Sequence, residues 1–118
     1  MEITIPCIPP SVNHYYGNRI MGKRIIRYIT KEGKAFRNIV EKCCKSKMEP
    51  TKSKVELAVY LYFNDKRKRD LDNYMKALQD ALNGIAYEDD NQIDCLLVHR
   101  MKSKTELAYT TIRIGYLE

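Results

Sequence analysis

Apolar residues recur along this chain with two periods. Residues 2–8 alternate, with Ile3, Ile5 and Cys7 on one side, which predicts a strand. Pro9-Pro10 ends it, because proline lacks a ladder donor and restricts the residue before it. Residues 11–28 are polar, cationic and glycine-bearing, and read as an irregular loop or loose hairpin. Thr30 is placed to cap a helix whose apolar positions Ala35, Phe36, Ile39, Val40 and Cys43 keep helical spacing; it should end near Met48, before Pro50. The run 55–63, VELAVYLYF, is a β-branched and aromatic strand with Val55, Leu57, Val59 and Leu61 on one face. Over 72–83 the period returns to 3.6: Tyr74, Ala77, Leu78, Ala81, Leu82 and Ile85 form one stripe, and Gly84 suits the C-terminal cap. Residues 93–101 and 107–116 read as two further strands joined by a polar turn at 102–106. The order β-α-β-α-β-β predicts a small α+β domain with two helices packed on a β-sheet.

Length and composition limit this picture little. One domain spanning 1–118 is expected, since domains commonly run to ~100–150 residues. No apolar run approaches the ~20 residues of a membrane span and no leader-like segment opens the chain, so a cytoplasmic protein without membrane association is expected. Cys7, Cys43, Cys44 and Cys95 include no C-x-x-C pair and read as reduced, core-filling thiols.

Charge changes the picture more. Residues 1–69 carry 16 Lys/Arg against 6 Asp/Glu, and residues 70–118 carry 5 against 9. The break falls inside Lys66-Arg67-Lys68-Arg69-Asp70-Leu71-Asp72-Asn73-Tyr74-Met75-Lys76. Cations attract phosphate. Paired carboxylates repel it unless a divalent cation intervenes. A solvated surface of mixed charge is one reading; a metal-dependent site acting on a phosphodiester is the other. The predicted helix starts at Asp72, whose carboxylate can cap its free amides, and Lys76 follows one turn later with Asp80 a turn beyond. Asp70 leaves the preceding strand on the same side.

An EF-hand is excluded, because Tyr74, Met75 and Ala81 stand where its loop needs an oxygen ligand, a glycine and a glutamate. Two carboxylates hold a hard cation weakly. Glu88-Asp89-Asp90 supplies the third ligand, with Asp90 the first choice and Asp89 the alternative. An all-oxygen set favours Mg²⁺ or Mn²⁺ over zinc.

The string R-D-L-D-N-Y-M-K-A-L-Q-D-A-L, followed by E-D-D-N-Q-I, resembles the signature of RusA-type endonucleases, the phage- and prophage-encoded Holliday junction resolvases. The opening P-P-S-V-N-H-Y-Y, with Asn13 and Tyr16, is similar to that family's amino-terminal element. The resemblance implies a homodimer that cuts four-way DNA junctions symmetrically with Mg²⁺ or Mn²⁺, in recombination and repair. It carries the metal-binding aspartates onto Asp70, Asp72 and Asp90 and the catalytic lysine onto Lys76. The segment before the Asp89-Asp90 pair is about one residue shorter than the family's arrangement, which keeps Asp89 in contention. DNA contacts are expected from Lys66, Arg67, Lys68 and Arg69 beside the site, and from Asn13, Arg19, Lys23, Arg24 and Arg27. His14 is a candidate DNA contact and His99 reads as structural. A nuclease for other branched DNA or structured RNA, and a non-catalytic nucleic-acid-binding module, are the competing functions.

Overall fold

The computed structural model describes residues 1–117. Six strands and three helices follow the order β1 (Glu2–Ile5), α1 (Val12–Tyr15), β2 (Tyr16–Met21), β3 (Arg24–Ile29), α2 (Lys31–Cys44), β4 (Lys54–Phe63), α3 (Met75–Ala81), β5 (Ile93–Lys102) and β6 (Tyr109–Leu117). Short 3₁₀ turns at Leu71–Tyr74 and Asp90–Gln92 flank α3 on either side in sequence. The α+β class holds, but the expected order omitted α1 and the β2–β3 pair. That ribbon escapes a periodicity search because nearly all its side chains face solvent on both sides.

Four strands form one sheet in the order β1-β6-β4-β5. β6 runs antiparallel to both β1 and β4, whereas β5 lies parallel to β4. Consecutive strands β5 and β6 are therefore not neighbours; β4 separates them. Parallel pairing needs a crossover, and residues 64–92, with α3 among them, provide it.

Strand alternation sorts the sheet into two faces. Ile3, Ile5, Val55, Leu57, Val59, Leu61, Ile112 and Ile114 are buried with Phe36 and Val40 of α2 and Leu78 of α3 in a single core. Thr30 caps α2 as expected, accepting from Gly33 N at 3.0 Å, and the helix ends at Cys44. Gly33 lets the first turn pack closely: a Cβ there would stand 2.7 Å from the Tyr15 ring.

The opposite face of the sheet is not buried in this way. Tyr60 stacks on His99 with centroids 4.8 Å apart, and Tyr62 on Tyr109 at 4.3 Å. The Arg113 guanidinium covers the Tyr60 ring at 5.4 Å and pairs with Glu2 at 2.9 Å. Leu97 and Met101 continue this face onto edge strand β5, both exposed. Cys44 is buried, and Cys7, Cys43 and Cys95 are partly so; all four are free thiols. Among the described residues, no helix is long and apolar enough to cross a membrane.

Candidate active site

The carboxyl end of β4 opens into the crossover, and the local sequence folds the basic run back on itself. Asp65 accepts from Arg67 N at 3.1 Å and takes both guanidinium branches of Arg69, at 2.5 and 2.8 Å. Arg69 also stacks over Phe63 at 4.7 Å, and its carbonyl accepts from Arg100 Nη2. This fork holds the Asp65 carboxyl down to about 2. Arg69, expected among the DNA contacts, is thus engaged inside the loop, because Asp65 four residues earlier offers a bidentate partner. Lys66, Arg67 and Lys68 remain exposed.

Asp70 follows in extended conformation at the start of the first 3₁₀ turn, and its side chain makes no capping bond. Asp72 was expected to cap the helix. It lies instead within the 3₁₀ turn, exposed, with α3 starting three residues later. A tighter first turn displaces the cap position.

A cleft of about 910 Å³ opens beside this corner, with Asn13, His14, Arg67, Lys68, Asp70 and Arg100 among its walls. Arg67, Lys68, Arg69 and Arg100 supply cations to its wall, and Glu32 and Asp70 supply carboxylates. His14 lies in the cleft wall, its Nδ1 3.2 Å from Ser11 Oγ, whereas His99 belongs to the opposite sheet face.

Helix α3 presents two faces. Met75, Ala77, Leu78 and Ala81 are buried, which fixes the helix rotation. On the other side Lys76 Nζ donates to Asp80 Oδ1 at 3.1 Å. The other oxygen of the same carboxylate accepts from the Tyr16 hydroxyl at 3.2 Å. This pairing with Asp80 raises the lysine above its usual range. Tyr15 lies close by, fully buried with no hydrogen-bond partner for its hydroxyl; burial and the Asp80 charge push it up to about 12.

The second 3₁₀ turn brings Asp90 to this cluster. Asp89 caps the turn, accepting from Asn91 N at 3.2 Å, while Gln92 Oε1 accepts from the Glu88 and Asp89 amides at 2.9 Å each. Gln92 Nε2 donates to the Thr51 and Ser53 carbonyls, both at 2.8 Å, and so locks the loop to the segment before β4. Tyr87, buried beneath, donates to the Gln79 carbonyl at 2.8 Å. Asp89 is spent on the cap, and Asp90, half-buried, faces Lys76 and Asp80. Partial burial, then the neighbouring Asp89 and Asp80 carboxylates, raise the Asp90 carboxyl.

Of the four residues singled out in sequence, the structure groups Lys76 with Asp90, adds Asp80 to them, and leaves Asp70 and Asp72 on the adjoining turn. Among the described residues, no three Asp, Glu, His or Cys side chains converge into a metal cage. The donor chemistry nevertheless fits a hard cation. Asp70 and Asp72 on one turn and Asp80 and Asp90 beside Lys76 are all oxygen donors, and the repulsion between Asp80 and Asp90 is one that a divalent ion would relieve. Asp80 was visible at i+4 from Lys76 yet not counted in the site. Tyr16 and Gln92 lie in the strings that carry the resemblance, but their partners are distant in sequence, and Arg100 lies outside those strings.

A family model described as "Endodeoxyribonuclease RusA" matches residues 6–115. The chain is 37% identical over 95 residues to the crossover junction endodeoxyribonuclease of Enterobacteria phage HK97, covering 78% of this chain and 76% of that protein. It is 37% identical over 99 residues to the enzyme of the same name from Shigella sonnei, and 36% over 99 residues to that of Escherichia coli K12, covering 78% of this chain and 75% of each relative.

Proposed function

The chain belongs to the RusA endodeoxyribonuclease family, and on that footing we propose that it is a divalent-metal-dependent endonuclease that cuts four-way DNA junctions as a homodimer. The observation that carries the reading is the meeting of Lys76, Asp80 and Asp90 on α3 and the turn after it, with Asp70, on the turn before α3, in the wall of a cleft shared with Arg67, Lys68 and Arg100. A non-catalytic binding module gains nothing from carboxylates turned toward phosphate.

Asp70, Asp72 and Asp90 would hold Mg²⁺ or Mn²⁺. Such an ion, when bound, lowers the pKa of water and offsets charge on the leaving oxygen. Lys76 stays protonated at neutral pH and is held by Asp80, so its ammonium is ready to stabilise negative charge developing on the phosphate. Lys66, Arg67 and Lys68 seat the flanking backbone, and Arg69 shapes the loop that presents them.

Paired cuts in a four-way junction require two active sites, which a homodimer provides. The uncovered sheet face, with its stacked tyrosines and exposed Leu97 and Met101, supports this assembly. Three strands of nine or ten residues and the four-residue β1 offer roughly 500 Å² per copy, just under the lower bound of specific interfaces.

The test is incubation of the purified protein with a synthetic four-way junction or matched duplex and Mg²⁺. Asp72→Asn should keep junction binding and lose cleavage. Equal binding of junction and duplex by the unmutated protein, with neither cut in Mg²⁺ or Mn²⁺, would overturn the reading.

A further inference from the structure

The β2–β3 ribbon presents an apolar tip that the core does not use. Ile20 and Ile25 are cross-strand partners in its register and are 78% and 75% exposed. Met21, beside them, is also exposed. Gly22, at φ +62, opens the two-residue turn, and a positive φ at this first position is what a II′ hairpin requires. A two-stranded ribbon is marginal in water without a partner, so leaving its largest aliphatic side chains at the far end calls for an occupant.

The surrounding charge specifies that occupant. From residue 3 to residue 31 the sequence has no Asp or Glu, while the ribbon carries Arg19, Lys23, Arg24 and Arg27. Two copies of such a tip repel each other; a polyanion attracts both. Alternation places Tyr16, Asn18 and Ile20, with their partners Ile29, Arg27 and Ile25, on one face. At its root Tyr16 reaches Asp80, and Arg27 lies 3.6 Å over the Tyr16 ring. The face that touches the catalytic corner therefore runs out to the isoleucine pair. Ile20 lies four residue steps beyond Tyr16, which is ~13 Å of strand, or about four nucleotides of rise.

We infer that Ile20 and Ile25 form an apolar wedge that enters an opened base step at the branch point of the DNA, while Arg19, Lys23, Arg24 and Arg27 hold the flanking phosphates. Apolar side chains inserted between bases unstack them. A branch point lowers that cost, because stacking is already interrupted there. The length of the ribbon then sets the distance between branch point and cut. This inference rests on the nuclease reading and adds to it the means of recognising the branch.

The experiment uses the Asp72→Asn protein, a four-way junction with 2-aminopurine at the branch point, and the same probe in a plain duplex. Fluorescence at the branch is expected to rise severalfold on binding. Ile20→Ala/Ile25→Ala is expected to abolish the rise and to weaken junction binding about tenfold, with duplex affinity and its salt dependence unchanged. Lys23→Ala/Arg24→Ala should instead reduce the salt slope by about two phosphate contacts. An unaltered rise in the isoleucine double variant overturns the wedge, as does its conversion to a smaller species in sedimentation, which would make the tip a subunit contact. Cleavage by the protein with Asp72 intact is measured in parallel. Cutting without a fluorescence rise sinks the wedge alone; no junction binding and no cutting sinks the nuclease reading beneath it.

Discussion

The Tyr16 hydroxyl donates to Asp80 across 64 positions of sequence, 3.2 Å from the carboxylate oxygen that Lys76 does not use. One aspartate thus ties the root of the ribbon to Lys76, the candidate catalytic lysine. Asp80 is a positioning residue: it holds Lys76, and Tyr16 holds it. Tyr16→Phe removes one of the two bonds on Asp80 while keeping the ring beneath Arg27. Cleavage should fall roughly tenfold through kcat with KM little changed, as small misplacements of catalytic groups do, and thermal stability should be nearly unchanged. Steady-state kinetics on a junction substrate, alongside thermal melts, checks both.

Asp90 pulls stability and activity in opposite directions. Its carboxyl is raised in the folded protein, so the fold binds that proton more tightly than the unfolded chain does. Stability from this group is greatest in acid and declines as pH rises from the ordinary carboxylate range through the raised folded value. At neutral pH the ionised form is a standing cost. Asp90→Asn should therefore raise the melting temperature by a few degrees in chelator while abolishing cleavage. A lower melting temperature in the variant would contradict the burial and repulsion described for this corner.

The Asp65–Arg69 fork has the opposite sign. Asp65 is depressed to about 2, so its contribution is fully present above the ordinary carboxylate range and disappears as pH falls through about 2. Asp65→Asn should be less stable than the unmutated protein from neutral pH down to about 4, and the two should converge below that. The pair is exposed, so salt should narrow the gap as well. Melting curves across pH and ionic strength measure this directly.

The uncovered sheet face should respond to charge. Leu97 and Met101 are both exposed, so Leu97→Glu/Met101→Glu should leave the core intact and the circular dichroism unchanged. In sedimentation the variant should run as a monomer, and on a junction it should make unpaired nicks in place of coordinated cuts. A variant that remains dimeric would move the interface elsewhere.

Much of this was legible in sequence where one face meets the core and the other meets water. The stripe through Ala77, Leu78, Ala81 and Leu82 and the strand through Val55, Leu57, Val59 and Leu61 are both buried as their periods require. The β2–β3 ribbon was legible only as an irregular loop or loose hairpin, without strand bounds, since Arg19, Ile20, Ile25 and Ile26 have no core to divide them into two faces. The central place of β4 was hidden as well, because pairing order depends on contacts distant in sequence. The site divides in the same way. Asp70, Asp72 and Lys76 lie in one short string, whereas the Tyr16–Asp80 bond and the Gln92 anchors to residues 51 and 53 exist only after the chain has closed.

The placement of β6 has a consequence for timing. It is the last strand in sequence, yet it sits between β1 and β4, and no direct pairing joins those two without it. Residues 70–90 therefore leave the ribosome before the sheet that supports them can be completed. Pairing at such long sequence separation is slow to form. A chain interrupted anywhere before residue 109 carries the candidate catalytic residues without the strand that completes their scaffold. Only a chain carried past residue 109 can set β6 between β1 and β4 and so complete that support.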